Sequence, residues 1–261
     1  MVATDDKQLL AEHLRQLRLP AFRDHYEDAA RQAEQHDRSY EQYLLELARC
    51  ECQARQANRI ETLLRQSRLP LDKTLDNFKL KRLPTKAARQ VRSLLDGSFV
   101  DRKENLLAFG RPGSGKTHLL AGIAQELVRQ GRSVYFSSCS LLVQELLIAK
   151  RDLKLARCLK RLGRYEALVI DDIGYVEQSR EEMEVLFTLL ADRYERGSVL
   201  LTSNLPFSKW EAIFKDPMTT AAAIDRLVHH SIILELNIKS FRLEEALDGA
   251  AQGAPDDAPA E

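Results

Sequence analysis

A chain of 261 residues has room for one substantial domain and a smaller companion. Lysine plus arginine and aspartate plus glutamate both count 39, so overall charge selects no partner. No run approaches the ~18 apolar residues of a membrane span, and no N-terminal stretch has a signal-peptide core. Four cysteines (Cys50, Cys52, Cys139, Cys158) lack zinc-ligand spacing, which suits reduced thiols in a cytoplasmic protein.

Residues 1–70 read as a small all-helical domain. Leu9, Leu10, His13, Leu14 and Leu17 form one apolar stripe that ends near Pro20. Ser39-Tyr40-Glu41-Gln42 is a capping-box pattern. It opens a helix whose apolar face is expected to be Tyr40, Tyr43, Leu44 and Leu47, with a helical pattern running on toward Leu64. Arg-Leu-Pro recurs at 18–20, 68–70 and 82–84 and is read as helix punctuation rather than a repeat. Residues 71–100, with seven basic residues against three acids, read as a basic linker.

From 101 to 245, apolar strands alternate with amphipathic helices. Strands are expected at 105–109, 133–138, 167–173, 199–204 and 231–236, the pattern of a parallel sheet covered by helices on both faces. Residues 246–261 are an acidic Ala/Pro/Gly-rich tail, expected to be disordered.

The sharpest motif is Gly110-Arg111-Pro112-Gly113-Ser114-Gly115-Lys116-Thr117, followed by His118 at the start of a helical pattern. An apolar strand, a glycine-rich loop and a helix N-terminus make a cradle for a nucleoside triphosphate. Loop N–H groups and the helix dipole face the anion, Lys116 reaches the β/γ-phosphates, and the Thr117 hydroxyl ligates Mg²⁺. Leu168-Val169-Ile170-Asp171-Asp172 is an apolar strand ending in two acids. Asp171 is expected to share the Mg²⁺, and Asp172 to orient or deprotonate the attacking water.

Other residues carry two readings each. Asn204, at the end of a strand, could bond the attacking water or a γ-phosphate oxygen, or simply make an Asx turn into Leu205-Pro206. Arg226, near a helix end, could stabilise transferring phosphate from a neighbouring subunit, or pair with Asp225 or another acid. Arg242 has the same ambiguity. His229 and His230 diverge by about 100° if helical, and no third ligand is spaced to join them, so no metal beyond Mg²⁺ is expected. Between 141 and 164 there are seven basic residues against two acids. At helical spacing Lys150, Lys154, Arg157 and Arg161 would share a face that follows DNA phosphates, or would be a solvated charged face.

GRPGSGKTHLL, LVIDDIGYV, LLTSNLPFSKW, AIDRLVHH and SFR, in that order, resemble the AAA+ ATPases of the helicase-loader group. The similarity is greatest to the IstB-like transposition helper ATPases, and the N-terminal segments LRQLRLPAFRDHYE and SYEQYLLELARCE also resemble that family's helical region. The resemblance implies ATP as the nucleotide, Asn204 at the sensor-1 position, Arg226 as a finger acting across a subunit interface, and Arg242 at a sensor-2-like position. Asp172 stands where many AAA+ proteins have Glu. With no room for a full helical lid after Arg242, slow, assembly-stimulated hydrolysis is expected. The implied function is an ATP-dependent homo-oligomer on duplex DNA that assists a transposase encoded alongside it in target-site selection or strand transfer. The alternatives are a replicative helicase loader of the DnaC type and, more distantly, a small-molecule kinase, for which no arginine-rich lid is evident.

Overall fold

The computed structural model describes residues 4–174, 179–210, 217–236, 238, 240 and 241. Arg242 and the acidic stretch 246–261 lie outside the described residues. The chain divides between Thr62 and Leu63 into two compact units.

The first unit contains α1 (Thr4–Gln16), α2 (Pro20–Gln35) and the start of α3 (Tyr40–Ser67). Pro20 does more than stop a helix: it sits in the first turn of α2, where a missing N–H costs nothing. Arg18 and Arg68, each heading an Arg-Leu-Pro, turn left-handed (φ 55 and 58) and end α1 and α3 without a glycine. The capping box forms: the Gln42 N–H donates to Ser39 Oγ at 3.3 Å, and the Ser39 N–H donates to Gln42 Oε1 at 3.1 Å. The expected apolar face of α3 is only half right. Leu47 is buried, but Tyr40 is 91% and Leu44 56% exposed, because they lie in the first turns while packing begins deeper in the helix. Of the α1 stripe only Leu14 is buried; Leu9, Leu10 and Leu17 are exposed. Buried Glu51 accepts the Ala21 N–H (2.9 Å) and Arg55 Nε (2.8 Å), so α3 caps the uncapped start of α2. Burial alone would push the Glu51 carboxyl up, yet these bonds hold it below its ordinary value.

The second unit is built on a five-stranded parallel sheet in the order β2-β3-β4-β1-β5. Its strands are β1 (Asn105–Gly110), β2 (Val134–Ser138), β3 (Ala167–Ile173), β4 (Ser198–Ser203) and β5 (Ser231–Leu236), within a residue of the expected bounds. The connecting helices are α4 (Thr85–Leu94), α5 (Ser98–Asp101), α6 (Lys116–Arg129), α7 (Cys139–Arg151), α8 (Leu155–Leu162), α9 (Arg180–Arg193) and α10 (Pro217–Val228). Alternate strand residues feed two cores, as a two-residue period requires. Leu106 and Ala108 pack with Leu119, Ile123 and Leu127 of α6; Leu107 and Ile170 pack on the other side with Leu142, Leu146, Leu186 and Leu189. Each such leucine contributes about 1.5–3 kcal/mol by leaving water. The stretch 71–100, a basic linker by composition, lays Phe78, Leu83, Ala87, Val91 and Leu94 into the first of these cores.

The basic segment departs from its expected form. No single helix carries Lys150 through Arg161: α7 ends at Arg151, Leu153 turns left-handed (φ 57), and α8 starts at Leu155. The shared helical face therefore does not exist, because spacing arguments hold only within an unbroken helix. Lys150 pairs with Glu184 at 3.0 Å, Lys154 with Asp152 at 3.3 Å, and Arg161 with Glu145. Among the described residues Arg157 has no carboxylate partner. Lys154, Arg157 and Arg161 nevertheless line one recess, of about 470 Å³, with Lys160 and Arg164.

Candidate nucleotide site

In a parallel sheet all strands end at one edge, where ligands bind beyond the carboxyl ends. Here that edge gathers the loop 110–115 after β1, Asp171 and Asp172 at the end of β3, and Asn204 after β4. Gly115 is the N-cap of α6, and no side chain caps that helix. The left-handed backbone at Gly113 (φ 77) and Gly115 (φ 83) curls the loop so that the helix start opens toward the cleft. A Cβ at Gly115 would meet the Phe78 ring at 2.8 Å. Among the described residues Ser114 Oγ is buried with no hydrogen-bond partner, a polar atom in a loop shaped for an anion.

Lys116 is buried. Its Nζ donates to the carbonyl oxygens of Gly110 (2.8 Å) and Arg111 (3.0 Å) and to Asn204 Oδ1 (2.6 Å). Thr117 Oγ1 donates to Asp171 Oδ1 at 2.8 Å, and Thr202 Oγ1 donates to the same oxygen at 2.7 Å. The two hydroxyls and one carboxylate form an oxygen cluster of the kind a small hard cation takes. The Asp172 N–H donates to Thr202 Oγ1 at 2.8 Å, and Asn204 Nδ2 donates to Asp172 Oδ1 at 3.3 Å. Nothing in the local pattern singles out Thr202, whose hydroxyl links both acids.

A bulge sets this spacing. Ile170 pairs with Leu201 and Ile173 with Ser203, so Asp171 and Asp172 together face Thr202. Asp172 takes the extra residue in a left-handed conformation, φ 62.

The cleft, of about 350 Å³, is lined by the loop, Lys116, Thr117, His118, Asp172, Asn204 and, on another side, Asn77, Phe78 and Phe241. His118 Nε2 lies 2.8 Å from the Thr74 carbonyl and its ring meets Phe78 edge-on at 5.4 Å, so it fastens the 70s segment over the loop. The Phe241 N–H donates to the Gly113 carbonyl at 2.9 Å, and Arg82 lies 3.9 Å over the Phe241 ring. Arg111 and Pro112 belong to the loop, and Pro112 lines the cleft.

Arg226 is not part of this cleft. It lies back along α10, with Nη1 donating to the Ala222 carbonyl (3.1 Å) and its guanidinium 5.0 Å over the Phe187 ring. The next residue, Leu227, accepts a bond from Asn105 Nδ2 at 3.0 Å, at the start of β1. The phosphate loop is at the other end of that strand, about 17 Å away at roughly 3.3 Å per residue.

That opposite edge is held by Arg193, which sequence reasoning missed because all but one of its carbonyl partners lie 27 to 31 residues away. It is 2% exposed, and it donates to the carbonyls of Leu162 (3.4 Å), Tyr165 (2.6 Å), Glu166 (3.0 Å) and Ser198 (3.1 Å), tying the segment that enters β3 to the start of β4. Burial lowers its guanidinium to about 10. A base depressed this way carries its burial cost at every pH below about 10, so the carbonyl bonds work against that cost throughout the neutral range. Another surprise at this edge is that Glu195 comes up to His229 and His230, supplying the third group the spacing did not offer.

A phosphate loop after β1, acids at the end of β3, an asparagine after β4 and a 5-1-4-3-2 strand order define a P-loop ATPase fold of the AAA+ class. Known structures agree. DnaA from Aquifex aeolicus bound to AMPPCP is similar with a TM-score of 0.56 at 18% identity, over 71% of this chain and 57% of that one. The DnaC helicase loader is similar with a TM-score of 0.55 at 19% identity, over 65% of this chain and 98% of that one. The chain belongs to the IstB-like ATP binding protein family, which it matches over residues 12–249. Among its relatives is an insertion sequence ATP-binding protein of Sinorhizobium fredii, 38% identical over 94% of this chain and 83% of that protein. The insertion sequence IS5376 ATP-binding protein of Geobacillus stearothermophilus is also 38% identical, over 92% of this chain and 95% of that protein. The insertion sequence IS21 ATP-binding protein of Pseudomonas aeruginosa is 36% identical over 89% and 88%. Among the described residues no helix is long and apolar enough to cross a membrane.

Proposed function

We propose that the protein is a Mg²⁺-dependent ATPase that assembles with ATP on duplex DNA and helps a transposase, encoded alongside it, to select or remodel its target. Its relatives' association with insertion sequences supports the transposition setting. The observation that carries the assembly is the position of Arg226, at the strand edge remote from its own chain's cleft. If it stabilises charge on a transferring phosphate, that phosphate belongs to a neighbouring subunit.

Within one cleft the roles divide by chemistry. Lys116 exchanges its carbonyl bonds for phosphate oxygens. Thr117 and Asp171 would hold Mg²⁺, which supplies Lewis-acid polarisation of the phosphate oxygens when bound. Asp172, steadied by Asn204, positions or deprotonates the attacking water. The recess of Lys154, Arg157, Lys160, Arg161 and Arg164 offers a sequence-independent seat for a phosphate backbone once subunits repeat it along DNA.

Sedimentation with ATP and Mg²⁺, with and without long duplex DNA, tests this reading. Large ATP-dependent assemblies on duplex that vanish in Lys116→Ala are expected. Assembly only on single strands or with a helicase would replace this reading by a loader of the DnaC type.

A further inference from the structure

At the edge where the strands begin, α9 and α10 end side by side. Tyr194 is the C-cap of α9, and Glu195 follows in a left-handed turn (φ 57). Just past α10, the His229 N–H donates to the Asp225 carbonyl at 2.9 Å, and the His230 carbonyl accepts the Asn105 N–H at 2.7 Å. The backbone under both histidines is thus fastened at fixed points. The two imidazole rings lie 4.1 Å apart, and Tyr194 Oη is 2.9 Å from His229 Nδ1. One nitrogen from each ring and a carboxylate oxygen of Glu195 lie within 4.8 Å of one another, and all three side chains are exposed.

We propose that Glu195, His229 and His230 form a binding site for a divalent transition metal of the zinc class, separate from the nucleotide cleft. Two imidazole nitrogens and a carboxylate, with water in a fourth position, are a donor set that zinc takes in tetrahedral form. Magnesium, which prefers near-octahedral oxygen, is a poor occupant. Zinc bonds of about 2.0–2.1 Å place tetrahedral donors roughly 3.4 Å apart. The present spread therefore closes by small side-chain rotations, with no movement of the fastened backbone. Tyr194 supplies the outer contact that metal-bound histidines usually have: it engages Nδ1, which leaves Nε2 as the ligating nitrogen of His229. Asp225 and Arg226, the charged groups of the last turn of α10, offset one another. A bound metal would join the ends of α9 and α10, the helix pair that holds Arg226 against Phe187.

The test is metal titration of the full-length, nucleotide-free protein in excess Mg²⁺, with Zn²⁺ by chelator competition and Co²⁺ by absorption. One equivalent of metal at micromolar affinity is expected, with Co²⁺ bands free of thiolate charge transfer, which separates this site from the cysteines. Tyr194→Phe should weaken binding roughly tenfold. His229→Ala/His230→Ala should abolish it while ATP still binds, which shows that the fold survives. Unchanged affinity in the double variant, thiolate bands in the Co²⁺ spectrum, or no binding by the unaltered protein would each overturn the site.

Discussion

Lys116 and Arg193 are both buried cations that donate chiefly to backbone carbonyls, one at each edge of the same sheet, yet they serve opposite ends. Lys116 donates to oxygens on a loop and on Asn204, beside an open cleft, so an incoming phosphate can take their place. Arg193 holds the carbonyls of Leu162 in α8, of Tyr165 and Glu166 just before β3, and of Ser198 in β4, and it is 2% exposed. Gly197 leaves the room: a Cβ there would lie 2.2 Å from an Arg193 nitrogen. A cation whose partners can be exchanged works on a ligand, and one whose partners cannot works on the fold.

Arg226 breaks this division, since it sits at the structural edge and is assigned a chemical task. Arg226→Ala should leave ATP binding intact and lower hydrolysis by about 10³-fold or more. Mixing it with Asp172→Asn protein should recover part of the rate, because the mixed assembly has interfaces with both groups intact. If mixing recovers nothing while assemblies still form, Arg226 belongs with Arg193 as a fold-holding residue.

Arg193→Met should lower stability by about 3 kcal/mol, since four carbonyls lose a charged donor. Denaturant melts would show it, and nucleotide affinity of the folded fraction should not change. Lys116→Ala should do the reverse. A labelled-nucleotide titration should show roughly 100-fold weaker binding, with the denaturation midpoint nearly in place. If both variants move both quantities equally, the contrast between the two edges fails.

The smallest effect belongs to the recess between α7 and α8. Replacing Lys154, Arg157 and Arg161 with Ala should flatten the slope of log affinity for duplex against log salt by up to about three. An unaltered slope would leave these residues as surface charge, and the ion pairs of Lys154 and Arg161 already show how that could come about.

The sheet was legible because its strands are short apolar runs closed by glycine or polar residues, as in Leu168-Val169-Ile170 before Asp171. The phosphate loop was legible for a related reason: its chemistry is contiguous in the chain. What stayed hidden depends on contacts between distant segments or on single backbone angles. Leu153 offers no helix-breaking signal, yet its turn divides the basic segment. Arg193 looks like any amphipathic helix end, and Glu195 meets His229 and His230 only through folding. Thr202 reads as one more polar residue at a strand end until the bulge brings both acids to it.

The left-handed turn at Asp172 has a bearing on which acid can stand there. Asp and Asn enter that region several-fold more readily than other side chains, and Glu does so rarely. The shorter carboxylate thus suits the main-chain shape at this position as well as its reactivity. Lengthening it by a methylene would make that turn costlier, and the Thr202 hydroxyl's simultaneous hold on the two aspartates depends on the turn.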